Sequence, residues 1–245
     1  MIIAKVLDIK VNTYTMSQAL NTIIDRVKQK QQTFVVTANA EIIMMAQKDK
    51  DFKEILNNVA DIILADGAGV VLAAKLLNYP LTERVAGCDL TYNLIPLLAD
   101  HNMSVYFFGA NEGVALAAAN KALSIAPHLK IAGTRNGFFT KEQEDAIIEQ
   151  INKTNADIIF FALGVPKQEK FINKYRSLLN AKLLMGVGGT FDVMAGNVKR
   201  APIFMQKYHL EWLYRLYLQP QRLSRMSVLP IFVLKVLLSK ILDKK

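Results

Sequence analysis

Short runs of β-branched and aromatic residues alternate along this chain with longer segments of helical periodicity. This alternation is typical of a parallel sheet covered by helices, because successive parallel strands need a long crossover that is usually a helix. The runs FFALG and LLMGVG are apolar throughout, as expected for central strands buried on both faces. The pattern therefore predicts an α/β fold.

The expected architecture is a Rossmann-like parallel sheet with helices on its faces. The predicted strands are Ile2–Leu7, Thr33–Thr37, Asp61–Leu64, Ser104–Phe108, Lys130–Ala132, Asp157–Leu163 and Lys182–Val187. The predicted helices are Met16–Lys30, Glu41–Lys48, Ala68–Leu77, Asp89–Asp100, Glu112–Ala126, Lys141–Asn155 and Lys167–Leu179. With 52% hydrophobic and 21% charged residues, the chain can bury a full core.

The last 47 residues, 199–245, carry +8 of the net charge of +9, whereas the preceding part is almost neutral. Aromatic and aliphatic residues lie between their cations, and a nucleic-acid arm would contain far fewer. Basic charge combined with large apolar side chains suits an anionic membrane surface. We predict an α/β domain over 1–198 and a basic amphipathic helical appendage over 199–245, joined near Ala201-Pro202.

The chain is expected to lie on a membrane without crossing it. No uncharged apolar run approaches the roughly 18 to 20 residues that span a bilayer. The start, MIIAKVLDIKVN, lacks the apolar core of a secretory signal, so we expect a cytoplasmic body bound peripherally to the inner membrane face. Cys88 is the only cysteine, which excludes an internal disulfide.

Polar or glycine-containing turns follow several predicted strands: TANAE, ADGAG, FGANEG, LGVPKQE and GVGGTFD. Ligands of open parallel sheets bind at the carboxyl ends of the strands, where loops and helix N-termini gather hydrogen-bond donors. The functional site is therefore predicted along this edge.

Asp66 in LADGAGV is the candidate general base, because it comes directly after a buried strand and before a helix. A carboxylate in such a place can accept a proton if desolvation raises its pKa. The alternative is that Asp66 caps the following helix. Thr37 and Asn39 end the neighbouring strand, where they could bind sugar hydroxyls or amides, or could cap the helix that begins near Glu41.

The turn GVGGTFD contains Gly186, Gly188 and Gly189, which could let backbone N–H groups approach a phosphate. It lacks the G-x-G-x-x-G spacing of a dinucleotide site, and a helix is expected only later in the chain; a tight turn without a ligand is the alternative. Gln168 in LGVPKQEKF is expected at a helix N-terminus on the same edge, where it could meet a sugar or a phosphate.

Arg215, Arg222 and Arg225 are the candidate diphosphate ligands of the appendage, because guanidinium forks match phosphate geometry. A generic basic membrane patch is the alternative. No metal is predicted, because the histidines lack ligand spacing and the motif Asp49-Lys50-Asp51 lies in a Lys-rich polar segment that we interpret as a solvated loop. No other cofactor is predicted.

The motifs TANAEI, LADGAGV, RVAGCDL, FFGANEGV, ALGVPKQEKF, GVGGTFDVMAG and HLEWLYRLYLQPQRLSRM together resemble the WecG/TagA/CpsF family of bacterial glycosyltransferases. The resemblance covers residues 33–226 in the family's order. The C-terminal SVLPIFVLKVLL is more similar to the TagA/TarA branch, which works in wall teichoic acid synthesis, than to the WecG branch.

The resemblance implies inverting transfer of N-acetylmannosamine from its UDP-sugar to the 4-hydroxyl of undecaprenyl-diphosphate-linked N-acetylglucosamine, without a metal. It implies that Asp66 is the base. The positions that match the family's sugar pocket are Thr37, Asn39, Arg84 and Gln168, and those that match its diphosphate contacts are Arg215, Arg222 and Arg225. Other UDP-sugars, carrying N-acetylmannosaminuronic acid or glucose, occur within the wider family.

Two other classes are weighed against this interpretation. An NAD(P) oxidoreductase would carry the full G-x-G-x-x-G fingerprint, which is missing. A noncatalytic protein bound to nucleic acid or membrane would tolerate the loss of Asp66. We expect no nucleic-acid partner. Without lipid, the appendage could dissociate or be held in a homo-oligomer contact, and truncation after Gly196 is expected to leave a folded body that cannot transfer sugar.

Overall fold

The structure is a computed structural model that describes residues 2–202, 205, 211–218 and 228–242. The strands are β1 Ile3–Val6, β2 Ile9–Asn12, β3 Thr33–Ala38, β4 Ile62–Ala65, β5 Ser104–Gly109, β6 Lys130–Arg135, β7 Ile158–Ala162 and β8 Leu183–Gly186. The helices are α1 Met16–Lys28, α2 Ala40–Ala46, α3 Lys50–Glu54, α4 Ala68–Leu76, α5 Gly87–Asp100, α6 Val114–Ile125, α7 Glu144–Lys153, α8 Lys167–Tyr175 and α9 Thr190–Met194. Two further helices, Glu211–Leu218 and Val228–Leu242, lie in the basic C-terminal segment.

The strands form one eight-stranded sheet in the order β1-β2-β4-β3-β8-β7-β5-β6. Every pairing is parallel except that of β1 with β2, which is antiparallel. Buried apolar residues form one core cluster on each face of the sheet. The predicted α/β fold with a helix-covered sheet is therefore confirmed.

Strand β2 was not predicted, and its hairpin turn explains why. Leu7 and Asp8 both have left-handed backbone conformations, with φ values of 47° and 64°. Two-residue hairpins of this kind usually carry Asn-Gly or Asp-Gly, so Leu-Asp gives no turn signal in the sequence. The chain reverses here and adds an antiparallel pair at the edge of the sheet.

The segment around Asp49 is helical, so the prediction of a solvated loop was wrong. The Asp49 carboxylate accepts a hydrogen bond from the Phe52 N–H at 3.0 Å, which caps helix α3, and it forms an ion pair with Lys170 at 2.6 Å. Helix α3 continues directly into a π-helical turn, Ile55–Val59. Asp49 thus has a structural role in the packing of α3 beside α8.

The last helix, Val228–Leu242, packs against α2 and α4. Phe232 and Val236 are fully buried there and belong to the same core cluster as the sheet residues on that face. Truncation after Gly196 would remove both side chains and expose the apolar surface beneath them. The expectation that such a truncation leaves a folded body stays a prediction, as does the division into domains at residue 198.

Candidate functional site

The predicted site residues of the body gather at the carboxyl edge of four strands that are neighbours in the sheet, β4, β3, β8 and β7. Each follows or ends one of these strands or begins the next helix: Asp66 after β4, Thr37 and Asn39 at the end of β3, Gly186, Gly188 and Gly189 at the end of β8, and Gln168 in the helix after β7. The fold thus brings together residues far apart in sequence at the edge where ligands of parallel sheets bind.

Asp66 is partly exposed and is bound to the start of a different helix from the one it precedes. Its Oδ2 accepts a hydrogen bond from the N–H of Gly87, the first residue of α5, at 3.1 Å. The alternative role as cap of α4 was wrong, because Gly67 occupies that cap position and provides no side-chain hydrogen bond. The positive end of α5 therefore faces the carboxylate and fixes its orientation.

Gly87 also lies against Thr37. A Cβ built on Gly87 would lie 2.5 Å from the Thr37 Oγ1, which is too close for any larger residue without movement. The glycine thus allows the start of α5 to approach the end of β3. Asp66, Gly87 and Thr37 form one compact polar group, which we call the β4 centre.

Asn39 caps helix α2, because its Oδ1 accepts a hydrogen bond from the Ile42 N–H at 3.0 Å. The capping alternative raised by the sequence is therefore present in the structure. Asn39 nevertheless lies next to the turn that carries Asp66, since a Cβ built on Gly67 would lie 3.6 Å from the Asn39 Cβ. A contact between Asn39 and a sugar stays a prediction.

Arg84 approaches the same region from the loop before α5. Its guanidinium Nη2 lies 3.6 Å from the Oδ2 of Asp89, which is in the first turn of α5, and the Arg84 side chain is 13% exposed. The other oxygen of Asp89 is bound by Arg200, a residue that the sequence did not single out. Two guanidinium groups thus meet at one carboxylate beside the β4 centre.

The glycine turn after β8 is held by Gln168. A Cβ built on Gly186 would lie 2.5 Å from the Gln168 Nε2, and the Gln168 Oε1 accepts a hydrogen bond from the Gly188 N–H at 3.3 Å. Gly188 has a left-handed φ of 51°. Helix α9 begins directly after this turn at Thr190, so the expectation of a later helix was wrong. We call Gly186, Gly188, Gln168 and Glu169 the β8 centre.

Glu169 was missed by the sequence analysis. It is fully buried in the first turn of α8, and its Oε1 accepts a hydrogen bond from the Gln168 Nε2 at 2.8 Å. Burial raises the pKa of the Glu169 carboxyl to about 7. A signal was available, because Gln168 and Glu169 precede the buried Phe171 and Ile172 by three residues and so extend the same helical stripe.

Three predicted residues cannot be compared with this geometry. Arg222 and Arg225 lie outside the described residues, and of Arg215 the structure describes only its place in the helix Glu211–Leu218. Their predicted contact with a diphosphate stays a prediction. Within the described ranges, no group of three or more His, Cys, Asp or Glu residues is arranged to hold a metal ion.

None of the described helices combines the length and the apolar content needed to cross a membrane. The helix Val228–Leu242 comes nearest in composition, being apolar on almost every side apart from Pro230, Lys235, Ser239 and Lys240. One side of it, with Phe232 and Val236, is covered by the body.

Three similar proteins carry the same name, N-acetylglucosaminyldiphosphoundecaprenol N-acetyl-beta-D-mannosaminyltransferase. The protein of Bacillus spizizenii W23 is 40% identical over 85% of this chain and 80% of its own length. That of Bacillus subtilis 168 is 39% identical over 86% of this chain and 81% of its own, and that of Staphylococcus aureus MRSA252 is 34% identical over 86% and 82%. The model of the Glycosyl transferase WecG/TagA/CpsF family matches residues 4–245. The chain therefore belongs to the Glycosyl transferase WecG/TagA/CpsF family.

Proposed function

We propose that this protein transfers N-acetylmannosamine from a UDP-sugar to undecaprenyl-diphosphate-linked N-acetylglucosamine. The observation that carries the proposal is that relatives with 34 to 40% identity over most of the chain bear the name of this transferase. The product, a disaccharide on a lipid diphosphate, is the linkage unit of teichoic acid synthesis that the sequence resemblance implied. Transfer of another sugar by the same fold is the less favoured alternative.

In the proposed reaction, Asp66 takes the proton from the 4-hydroxyl of the acceptor sugar. The hydroxyl oxygen attacks the anomeric carbon, and the bond from that carbon to the UDP oxygen breaks on the opposite face. UDP leaves with the bonding electron pair, and the configuration inverts to a β-linkage. The Gly87 N–H supports this role because it orients the Asp66 carboxylate at the exposed edge of the sheet.

The leaving diphosphate needs positive charge or hydrogen-bond donors, and the described residues around the site supply both. Arg84 and Arg200 meet at Asp89, in the first turn of the helix that contacts Asp66. The turn that holds Gly186, Gly188 and Gly189 offers backbone N–H groups, and Thr37, Asn39 and Gln168 offer polar side chains to the sugars. We propose that Arg215, Arg222 and Arg225 add guanidinium groups from the C-terminal segment.

The proposed function is tested by incubating the purified chain with a lipid-diphosphate N-acetylglucosamine acceptor and separate UDP-sugars. The panel contains UDP-N-acetylmannosamine, its uronic acid and UDP-glucose, and the product is identified by mass and by linkage analysis. A β-1,4-linked N-acetylmannosamine product is expected. Preference for another donor would support the alternative, and no product from any donor would refute the proposed function.

The outward side of the last helix is the proposed membrane surface. The exposed fractions of Leu234, Leu238 and Ile241 are 57%, 50% and 62%, although these side chains are apolar. Lys235 is exposed on the same helix and Lys240 is partly exposed, which adds attraction to anionic lipid. A polyprenyl acceptor cannot leave the bilayer, so the enzyme has to reach it from the surface. This face supports that arrangement.

Sedimentation with vesicles tests this surface. Replacing Leu234 and Leu238 by Asp should lower the partition coefficient onto phosphatidylglycerol vesicles by about tenfold or more, because apolar burial is lost and negative charge is added. The control is Leu116→Asp, at a leucine of helix α6 that is 55% exposed. Equal binding of all three proteins would contradict the assignment.

A further inference from the structure

The β8 centre contains a chain of hydrogen bonds that starts at a buried carboxyl group and ends at the glycine turn. The Gln168 Nε2 donates to the Glu169 Oε1 at 2.8 Å, and the Gln168 Oε1 accepts from the Gly188 N–H at 3.3 Å. Both side chains are buried, with exposed fractions of 3% and 0%. The amide of Gln168 therefore connects Glu169 to the backbone of the turn.

The direction of the Gln168 amide is set by Glu169. An amide rotated by 180° would place its NH2 group against the Gly188 N–H, which is repulsive, and would remove the Nε2 donor from the Glu169 Oε1. The amide lies close against the backbone of Gly186, since a Cβ built on that glycine would lie only 2.5 Å from the Gln168 Nε2. Glu169 thus determines which atom Gln168 presents to the turn.

Glu169 is not held by an ion pair. Its second oxygen, Oε2, is buried and accepts no hydrogen bond from any residue that the structure describes. Three carboxylates near α8 instead bind cations of residues 170–176: Asp49 binds Lys170, Glu144 binds Lys174 and Asp61 binds Arg176. An ionised carboxyl is costly in such surroundings, so the neutral form, which keeps one acceptor oxygen, suits this position.

We propose that Glu169 is a positioning residue for the UDP-sugar site, which acts by holding the Gln168 amide so that the turn of Gly186–Gly189 keeps the shape that receives the donor. That the turn receives a UDP-sugar rests on the proposed function. The coupling of Glu169 to the turn through Gln168 does not depend on it. Glu169 itself makes no contact with the donor. Its carboxyl group acts through Gln168.

Two nearly isosteric substitutions separate positioning from packing. In Glu169→Gln the new amide oxygen still accepts from the Gln168 Nε2, and its NH2 replaces the protonated Oε2. In Glu169→Met the volume is similar but the acceptor is lost. We expect Glu169→Gln to keep the wild-type KM for the UDP-sugar at pH 6, and Glu169→Met to raise it about tenfold, the worth of one hydrogen bond, with a smaller change in kcat.

Equal KM values for wild type and Glu169→Met, at matched thermal unfolding temperatures, would overturn the proposal. So would an equal rise of KM in both variants, because only one of them lacks the acceptor. The KM-against-kcat split separates the role from simple destabilisation, which would reduce the amount of active enzyme without changing KM.

The coupling between Glu169 and the glycine turn can be tested on the wild-type protein without measuring turnover. The amide resonance of Gly188 should shift between pH 5 and pH 9 as Glu169 ionises, and this shift should be absent in Glu169→Gln. A Gly188 resonance that is unaffected by pH and by both substitutions would refute the coupling. If no UDP-sugar is turned over but the coupling is seen, the proposed function fails and the link between Glu169 and the turn remains.

Discussion

The β4 centre and the β8 centre are built alike and differ in their access to solvent. In each centre, a glycine lies so close to a polar side chain that a Cβ would not fit: Gly87 lies against Thr37, and Gly186 against Gln168. Each centre also contains a carboxyl group that accepts a hydrogen bond from one of its members, Asp66 from Gly87 and Glu169 from Gln168. Asp66 is partly exposed and is oriented by a backbone N–H, whereas Glu169 is sealed from solvent. An exposed carboxylate can take a proton from a substrate, whereas a buried carboxyl group is better suited to orienting the residues that it contacts.

The largest effect should come from Asp66→Asn. The amide keeps the size of the side chain and can still accept the Gly87 N–H bond, but it cannot take a proton from the acceptor. We expect kcat to fall by about 10²- to 10⁴-fold, the usual contribution of a general base, with UDP-sugar binding retained. The measurement is initial-rate transfer together with calorimetric binding of the donor.

Asp25→Asn, at an exposed position on helix α1, is the control for this change. It should leave both rate and binding unaltered. A near-wild-type rate in Asp66→Asn would contradict the assignment of Asp66 as the base, and with it the contrast drawn between Asp66 and Glu169.

A smaller effect is expected from Gly87→Ala, which tests the close contact in the β4 centre. The new methyl group would lie 2.5 Å from the Thr37 Oγ1, so the start of α5 or the threonine has to move. We expect unfolding free energy to fall by about 1 to 3 kcal/mol, as is usual for overpacking, and transfer to weaken because Asp66 loses its alignment. Denaturant unfolding and the transfer assay measure the two effects.

The double variant Thr37→Ala/Gly87→Ala should recover part of the lost stability, since the clashing hydroxyl is removed. Gly189→Ala is the matched control: it has a φ of −76° and no atom within 4 Å of its built Cβ, so its stability should change little. An equal loss in Gly87→Ala and Gly189→Ala would show that the contact with Thr37 has no importance.

The third effect is a pH dependence of stability in Glu169→Gln. The pKa of Glu169 is raised from 4.5 to about 7 in the folded chain, so the wild type loses stability as pH rises between these values, when only the unfolded chain ionises. Glutamine cannot ionise. Relative to the wild type, Glu169→Gln should therefore be more stable at pH 8 than at pH 4 by about 3 kcal/mol.

Denaturant unfolding at several pH values measures this difference, and Glu149→Gln on the exposed side of α7 provides the comparison. Glu149→Gln should show no such trend. Parallel stability curves for wild type and Glu169→Gln would mean that Glu169 titrates normally, and the two centres would then differ less than their exposure suggests.

The sequence was sufficient to predict the α/β sheet and the edge at which the polar residues gather, because buried parallel strands and the turns after them have strong local patterns. It could not reveal contacts made across the fold. Whether Asp66 caps its own helix or binds the start of α5 depends on how the loop before Gly87 returns to the sheet. Likewise, nothing local pairs Arg200 with Asp89, which are more than a hundred residues apart.

Glu169 shows a different difficulty. Two of its neighbours in PKQEK are lysines and one is a glutamine, so the local sequence suggests an exposed position. The helical stripe formed with Phe171 and Ile172 places Glu169 inside instead. The hairpin at Leu7-Asp8 is a third case, because the residues at its turn are unusual for their backbone conformation. Predictions failed where tertiary contacts or an atypical turn overrode the local pattern.

The position of the last helix, Val228–Leu242, has a geometric consequence for the acceptor. A Cβ built on Gly69, in the first turn of α4, would lie 3.9 Å from the Phe232 ring and 3.6 Å from the Cβ of Ala40, in the first turn of α2. Those two turns adjoin Asp66 and Asn39. With its outer side on lipid, the helix would act as a spacer of about 10 Å, one helix diameter, between the bilayer surface and the candidate base. The fold would then fix the height at which a membrane-bound sugar is glycosylated, and so select an acceptor by how far it projects from the lipid.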